Sequence, residues 1–169
     1  MTPRTRPSRR AFTLVECVCA ITVIAITSAV VLPVVGSATT AFANAASARD
    51  TSEGVAYAVD RCAALLRDTP PTAAGGALAI ASASASAITL SDGRAIAFSG
   101  GVLSLTDATG ASGPLLRGVE SFSLGLFGQD GATSTLAAPA TTWVYTLRLR
   151  KAGFELRTVV FARARSLGT

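Results

Sequence analysis

Hydrophobic and polar positions divide the chain into three stretches with different periods. From Phe12 to Val35 the residues are almost continuously apolar, with Glu16 the one charge among them, and Cys17 to Ala48 holds no ionisable carboxylate or base. At about 1.5 Å of rise per helical residue, roughly 20 apolar residues cross a bilayer core, so residues 12–35 are expected to form a membrane-spanning helix. Pro33 removes one helical hydrogen bond and predicts a kink rather than an end. Gly36 to Ala48 is rich in Ala, Ser and Thr and fits a helix leaving the membrane. Val55, Val59, Cys62 and Leu66 then recur at helical spacing, widened by Ala58 and Leu65, while Asp50, Glu53, Asp60 and Arg67 occupy another face. This amphipathic half, residues 36–71, is expected to end near Arg67, before Thr69-Pro70-Pro71. Its stripe is read as domain core rather than as a binding groove.

Beyond residue 72 the period switches to two. Expected strands are Ala77 to Ala81, Ala87 to Leu90, Ala95 to Phe98, Val102 to Leu105, Ser121 to Phe127, Trp143 to Lys151 and Phe154 to Ala162. Ser91-Asp92-Gly93-Arg94 and Ser99-Gly100-Gly101-Val102 have the glycine-centred chemistry of tight hairpins, and Ala152-Gly153 joins the last two strands. The alternating Ala and Ser of Ala81 to Ala87 reads as a poorly packed edge, and Thr106 to Gly113 and Gly128 to Ala140 as loops. A long helix followed by antiparallel strands is an α+β arrangement in which the helical stripe covers one sheet face. Residues 72–169 make up the expected β-sheet domain.

Composition changes the picture where the charge is located. The 169 residues carry a net charge of +5, but Arg4, Arg6, Arg9 and Arg10 supply four of the fifteen basic residues and precede every acid. Everything after Ala11 is close to neutral, so the basicity belongs mostly to the leader. Arginines on the N-terminal side of an apolar span are retained in the cytoplasm and direct the remainder of the chain across the membrane. There is no histidine, which removes the usual general base and the commonest metal ligand, and no carboxylate pair or phosphate-cradling loop before a helix stands in for one. Enzymatic function and a cofactor are not expected. Cys17, Cys19 and Cys62 lack zinc-site spacing and are read as small hydrophobes rather than disulfide partners.

Glu16 is the anomaly of the span. A carboxylate near the centre of a membrane helix costs about 2.5 to 3.5 kcal/mol on insertion scales, less near its end, so this residue calls for a partner. An ordinary secretory signal offers one reading, because Ala41-Phe42-Ala43 and Ala43-Asn44-Ala45 fit the small-x-small pattern of a cleavage site. The apolar region is longer than the usual stretch of about 7 to 15 residues, and Glu16 lies inside it.

The residues Arg10-Ala11-Phe12-Thr13-Leu14-Val15-Glu16 resemble the class III signal of type IV pilins and of the pseudopilins of type II secretion systems, with Ala11 in place of the usual glycine. The resemblance implies a leader at residues 1–11, cleavage by prepilin peptidase between Ala11 and Phe12, and N-methylation of Phe12. Pro33 becomes the twenty-second residue of the mature chain, where that family commonly has a helix-kinking proline. The implied fold is pilin-like, with a long N-terminal helix packed on an antiparallel sheet. The implied location is the bacterial inner membrane, crossed once, with the C-terminal domain on the periplasmic side; the implied partners are the peptidase, other pilin or pseudopilin subunits and the membrane. Leu115 to Val119 and Gly128 to Gly131 resemble, more narrowly, the J-type minor pseudopilin. Asp130, with Asp107 or Asp92, is the loop set able to help hold calcium as in some relatives; the competing reading is solvated turn aspartates.

Cleavage before Phe12 removes the arginines and creates an amine one helical turn from Glu16, within the chain or in a neighbour of a staggered bundle. Glu16 and Pro33 are therefore the expected assembly residues. Arg148, Arg150, Lys151, Arg157, Arg163 and Arg165 face only Glu155 in the final strands; a solvated sheet face is the first reading and an acidic fibre neighbour the second. No aromatic residue is interleaved on that face, which disfavours nucleic acid. The expectation is a structural minor subunit of a pseudopilus or pilus. The alternatives are a secreted or membrane-anchored β-rich binding domain with an ordinary export signal, and a DNA-uptake (competence) minor pilin.

Overall fold

The computed structural model describes residues 13–72 and 77–166. The chain forms two compact units, Met1–Ser47 and Ala48–Thr169. Helix α1, Leu14–Arg67, runs through Pro33 without a break and ends at the residue before Asp68, where Thr69-Pro70-Pro71 stops it as the sequence leads one to expect. Every residue from Thr13 to Asp50 is exposed. The hydroxyls of this stretch turn back onto their own helix: Thr22 donates to the Val18 carbonyl at 2.8 Å and Thr27 to that of Val23 at 2.6 Å. Such bonds let a hydroxyl lie in an apolar helix without an unsatisfied donor.

In the second unit the helical stripe is the core. Val55, Ala58, Val59, Cys62, Leu65 and Leu66 are all buried, together with Ala63. They form one cluster with Leu78, Ile88, Leu90, Ile96 and Leu103, and with Phe122, Leu124, Leu126, Tyr145, Leu147, Leu149 and Val160. The α+β architecture, a long N-terminal helix packed on antiparallel β-structure, is thus the one the periodicities predict.

The sheet itself is split. Strands β1 (Ile80–Ala83), β2 (Ala87–Leu90), β3 (Ala95–Ser99), β4 (Val102–Thr106) and β5 (Ser112–Arg117) form an antiparallel meander in sequence order. Strands β6 (Ser121–Phe127), β7 (Val144–Lys151) and β8 (Phe154–Phe161) form a second antiparallel sheet, again in sequence order. The Leu124 N–H of β6 donates to the Ala85 carbonyl at 2.8 Å, and the Phe98 and Phe122 rings pack at 6.1 Å between centroids, so the two sheets share one core. A short 3-10 turn, Pro139–Thr141, precedes β7, and a four-residue helix, α2 (Arg163–Ser166), follows β8.

Two expectations need correction. The first strand lies at Ile80–Ala83 rather than Ala77 to Ala81, because the alternating Ala and Ser run is held by pairing with β2, Ala83 opposite Ile88. Ser112–Arg117, read partly as loop, is a full strand on β4, with Pro114 and a register shift between Leu103 and Ser104 disguising it. The hairpin glycines behave as their chemistry dictates. Gly93, Gly100 and Gly101 all have positive φ, where a side chain is strained.

Candidate functional site

The candidate site is the N-terminal turn of α1. Ala11 and Phe12, the expected cleavage pair, lie outside the described residues. Thr13 precedes the first helical residue, Leu14, and is therefore the N-cap; Glu16 is the third residue of the helix. The Thr13 N–H donates to Glu16 Oε2 at 2.9 Å and the Thr13 hydroxyl to the same oxygen at 3.0 Å. The Glu16 N–H donates in return to Thr13 Oγ1 at 3.3 Å. This reciprocal arrangement is a capping box, the pattern that a Thr-x-x-Glu spacing encodes.

The capping box changes what Glu16 has and what it lacks. Its carboxylate is placed by two donors and faces the positive end of the helix dipole, which favours a negative group. Neither donor carries a charge. Salt bridges among the described residues involve Arg49 with Glu53, Arg94 with Asp92, Arg148 with Glu155 and Arg150 with Glu120, and none reaches Glu16. The helix has a mean hydropathy of 2.6 over its most apolar window, and no residue of that window is buried within the molecule. The α1 helix is long and apolar enough to span a membrane. Leu14, Ile21, Ile24, Leu32 and Phe42 each expose more than 60% of their surface. Pro33, the second expected assembly residue, stands within the same helix.

The loop aspartates are occupied locally. Asp107 Oδ1 accepts from the Thr109 N–H, the Thr109 hydroxyl and the Ala111 N–H, and these bonds hold its carboxyl below the usual carboxylate range. Asp130 Oδ1 accepts from the N–H groups of Ala132 and Thr133, while Oδ2 takes the Thr133 hydroxyl, again lowering its pKa. Asp92 is held by Arg94, whose Nε stands 2.6 Å from Oδ2. Among the described residues no three His, Cys, Asp or Glu side chains come together, so Asp92, Asp107 and Asp130 do not form one cluster.

Arg94 also donates to the Asp68 carbonyl at 3.1 Å and so ties the β2–β3 turn to the end of α1. It lines a cleft of about 180 Å³ with Arg61, Asp68 and Asp107, small beside the roughly 300 to 1,000 Å³ typical of ligand pockets. The basic final strands are partly neutralised from within. Arg148 pairs with Glu155 at 2.5 Å and Arg150 with Glu120 at 3.0 Å. The Arg148 hydrogen bond holds the Glu155 carboxyl below its ordinary range, with smaller help from the charges of Arg148, Arg150 and Arg157. Glu120, one residue before β6, reaches Arg150 because Ser121 is in register with Arg150; no spacing within the final hairpin reveals it.

All three cysteines are free, with Cys17 and Cys19 exposed along α1 and Cys62 buried in the core. Comparison with family models, curated proteins and solved structures gives no match.

Proposed function

We propose that this chain is a non-enzymatic, membrane-anchored, minor structural subunit of a type IV pilus or type II secretion pseudopilus. In this reading prepilin peptidase cuts between Ala11 and Phe12, Phe12 becomes the methylated N-terminus, and the apolar half of α1 holds the subunit in the bacterial inner membrane. The C-terminal domain then lies on the extracytoplasmic side. Subunits assemble by packing these helices side by side.

The observation that carries the reading is Glu16. It is the one acid in the exposed apolar stretch of α1 before Asp50, it is held in place by Thr13, and no cation among the described residues meets it. A carboxylate fixed in that setting is stabilised by a positive group supplied from elsewhere. The amine that cleavage before Phe12 would create is such a group, in this subunit or its neighbour. Pro33 fits the same reading because the helix continues through it and leaves room for a bend inside the span.

A separate export signal fits less well. The small-x-small sites at Ala41 to Ala45 lie inside unbroken α1, where a peptidase would have to unwind the helix to reach the bond. The experiment that decides is mass spectrometry of the N-terminus of protein taken from native membranes. A chain starting at methylated Phe12 supports the proposal, and one starting near Asn44 or retaining Arg9 and Arg10 overturns it. Glu16→Ala should insert normally into the membrane and fail to enter the fibre.

A further inference from the structure

Four strands stand at the edges of the two sheets, and three are blunted. Strand β1 is four residues long with a register irregularity between Ile80 and Ser82. Strand β5 contains Pro114, which has no N–H to offer, and is paired with β4 through a register shift. The outer edge of β6 is occupied, because the Leu124 N–H reaches the Ala85 carbonyl at 2.8 Å and the Leu126 carbonyl accepts from the Thr135 N–H at 2.9 Å. Strand β8 differs from all of these. It runs eight residues in unshifted register with β7, contains no proline, and has no described strand beyond it.

The backbone groups on that free edge follow from the register. The Ala162 N–H donates to the Trp143 carbonyl at 3.1 Å, in line with the pairing of the whole hairpin. Alternation along an antiparallel ladder then turns Leu156, Thr158 and Val160 toward β7, and the N–H and C=O groups of Glu155, Arg157, Val159 and Phe161 outward. The far side agrees: Leu124 and Leu126 point away from β7, which requires their partners Leu147 and Tyr145 to bond β8.

Those outward residues also share one face of the sheet, so Phe161 stands on the face of Arg148 and Arg157 and corrects the expectation that no aromatic residue is interleaved there. Val159 is 50% and Phe161 69% exposed, while Arg157 is exposed, stands directly opposite Arg148 and takes part in no salt bridge among the described residues. Glu155 is bonded by Arg148 and shares its one charge with Arg150 and Arg157, so this face keeps a positive excess. A regular edge with exposed apolar side chains is a template for another strand.

We propose that the outer edge of β8 is a strand-addition site for an extended segment of another protein, with apolar residues level with Val159 and Phe161 and an acidic residue level with Arg157. A second copy of this chain fits poorly. The one antiparallel register of two β8 strands that brings Glu155 level with Arg157 sets Val159 opposite Gly153 and Phe161 opposite Lys151, outside the partner strand. This inference does not rest on the fibre reading, since an exported binding domain would present the same edge.

The test uses the full chain in detergent micelles and a synthetic peptide of about eight residues that alternates valine with threonine and has one glutamate on the valine face. Saturable binding is expected, with hydrogen exchange at the Arg157 and Val159 amides slowed about tenfold or more. A lysine-for-glutamate peptide should bind more weakly. Val159→Pro removes an outward N–H without touching the β7 ladder and should abolish binding. Arg157→Glu should reverse the preference between the two peptides, and it decides the matter if the proline variant fails to fold. No protection at those amides at about millimolar peptide, binding indifferent to both variants, or pairing of two copies through β8 in place of peptide would each overturn the proposal.

Discussion

Gly125 and Thr146 face each other across β6 and β7 so closely that a Cβ on the glycine would lie 2.5 Å from the threonine Oγ1. The Phe127 ring closes the same space from along the strand, with Cε2 at 2.7 Å. Gly125 is therefore required by contact rather than by backbone conformation. Gly125→Ala should destabilise the domain by about 1 to 3 kcal/mol, the usual cost of overpacking. Urea unfolding should show it as a lower midpoint at unchanged slope. Thr146→Ala alone should not restore stability to that variant, because Phe127 remains in the way.

Substitutions at Glu16 separate capping from charge. Glutamine completes a capping box as glutamate does, but cannot balance an amine. Under the proposed function Glu16→Gln should keep the helix start and membrane insertion and still fail in fibre incorporation, as Glu16→Ala does. Equal assembly of the glutamine variant and the native chain would mean that Glu16 serves the helix end alone. Thr13→Ala should loosen the first turn of α1, measured as faster amide exchange there.

Burial pushes the Cys62 thiol from about 9 up to about 12. In the folded protein it should stay neutral and resist alkylation where an unfolded cysteine reacts. Its effect on stability has a definite sign. Between about pH 9 and pH 12 the unfolded chain releases the thiol proton and the folded one keeps it, so stability falls as pH rises, by at most about 1.4 kcal/mol per pH unit from this group. Cys62→Ala should remove that slope, read from unfolding curves across the alkaline range.

The β7–β8 turn contains a correctable defect. Ala152 has φ of 48° and Gly153 of 78°, a left-handed pair in which alanine is strained. Ala152→Asn should stabilise the domain by up to about 1 kcal/mol, since asparagine tolerates this conformation. A rise in melting temperature is the expected result. A lower one would mean that the Ala152 methyl contributes contacts worth more than the relief of strain.

Much of the fold was legible because it depends on local patterns. The Val55 to Leu66 stripe, the Asp92-Gly93 and Gly100-Gly101 hairpins and the final hairpin all follow from apolar spacing and from glycines that need positive φ. Strand β5 was not, because Gly113 and Pro114 contradict strand propensity and only pairing with β4 overrides them. The division into two sheets was hidden for a different reason. The bond from Leu124 to Ala85 is between backbones, and nothing in either side chain announces it. At the site, an acid in an apolar run is visible in any reading of the chain, and the Thr13-x-x-Glu16 spacing lies beside it in plain view. Charge accounting alone notices the first and overlooks the second. The neutralisation of Arg150 by Glu120 required the register of β6 on β7.

Pro33 has no N–H to give the carbonyl of Ala29, four residues earlier in the helix. That oxygen has already lost its usual donor, so opening the helix on this side breaks no bond that was there to break. In a lipid interior, where backbone pairing elsewhere holds a rod stiff, this is the cheapest place for the rod to flex. Replacing Pro33 by leucine would stiffen the span while leaving its length and oiliness as they are.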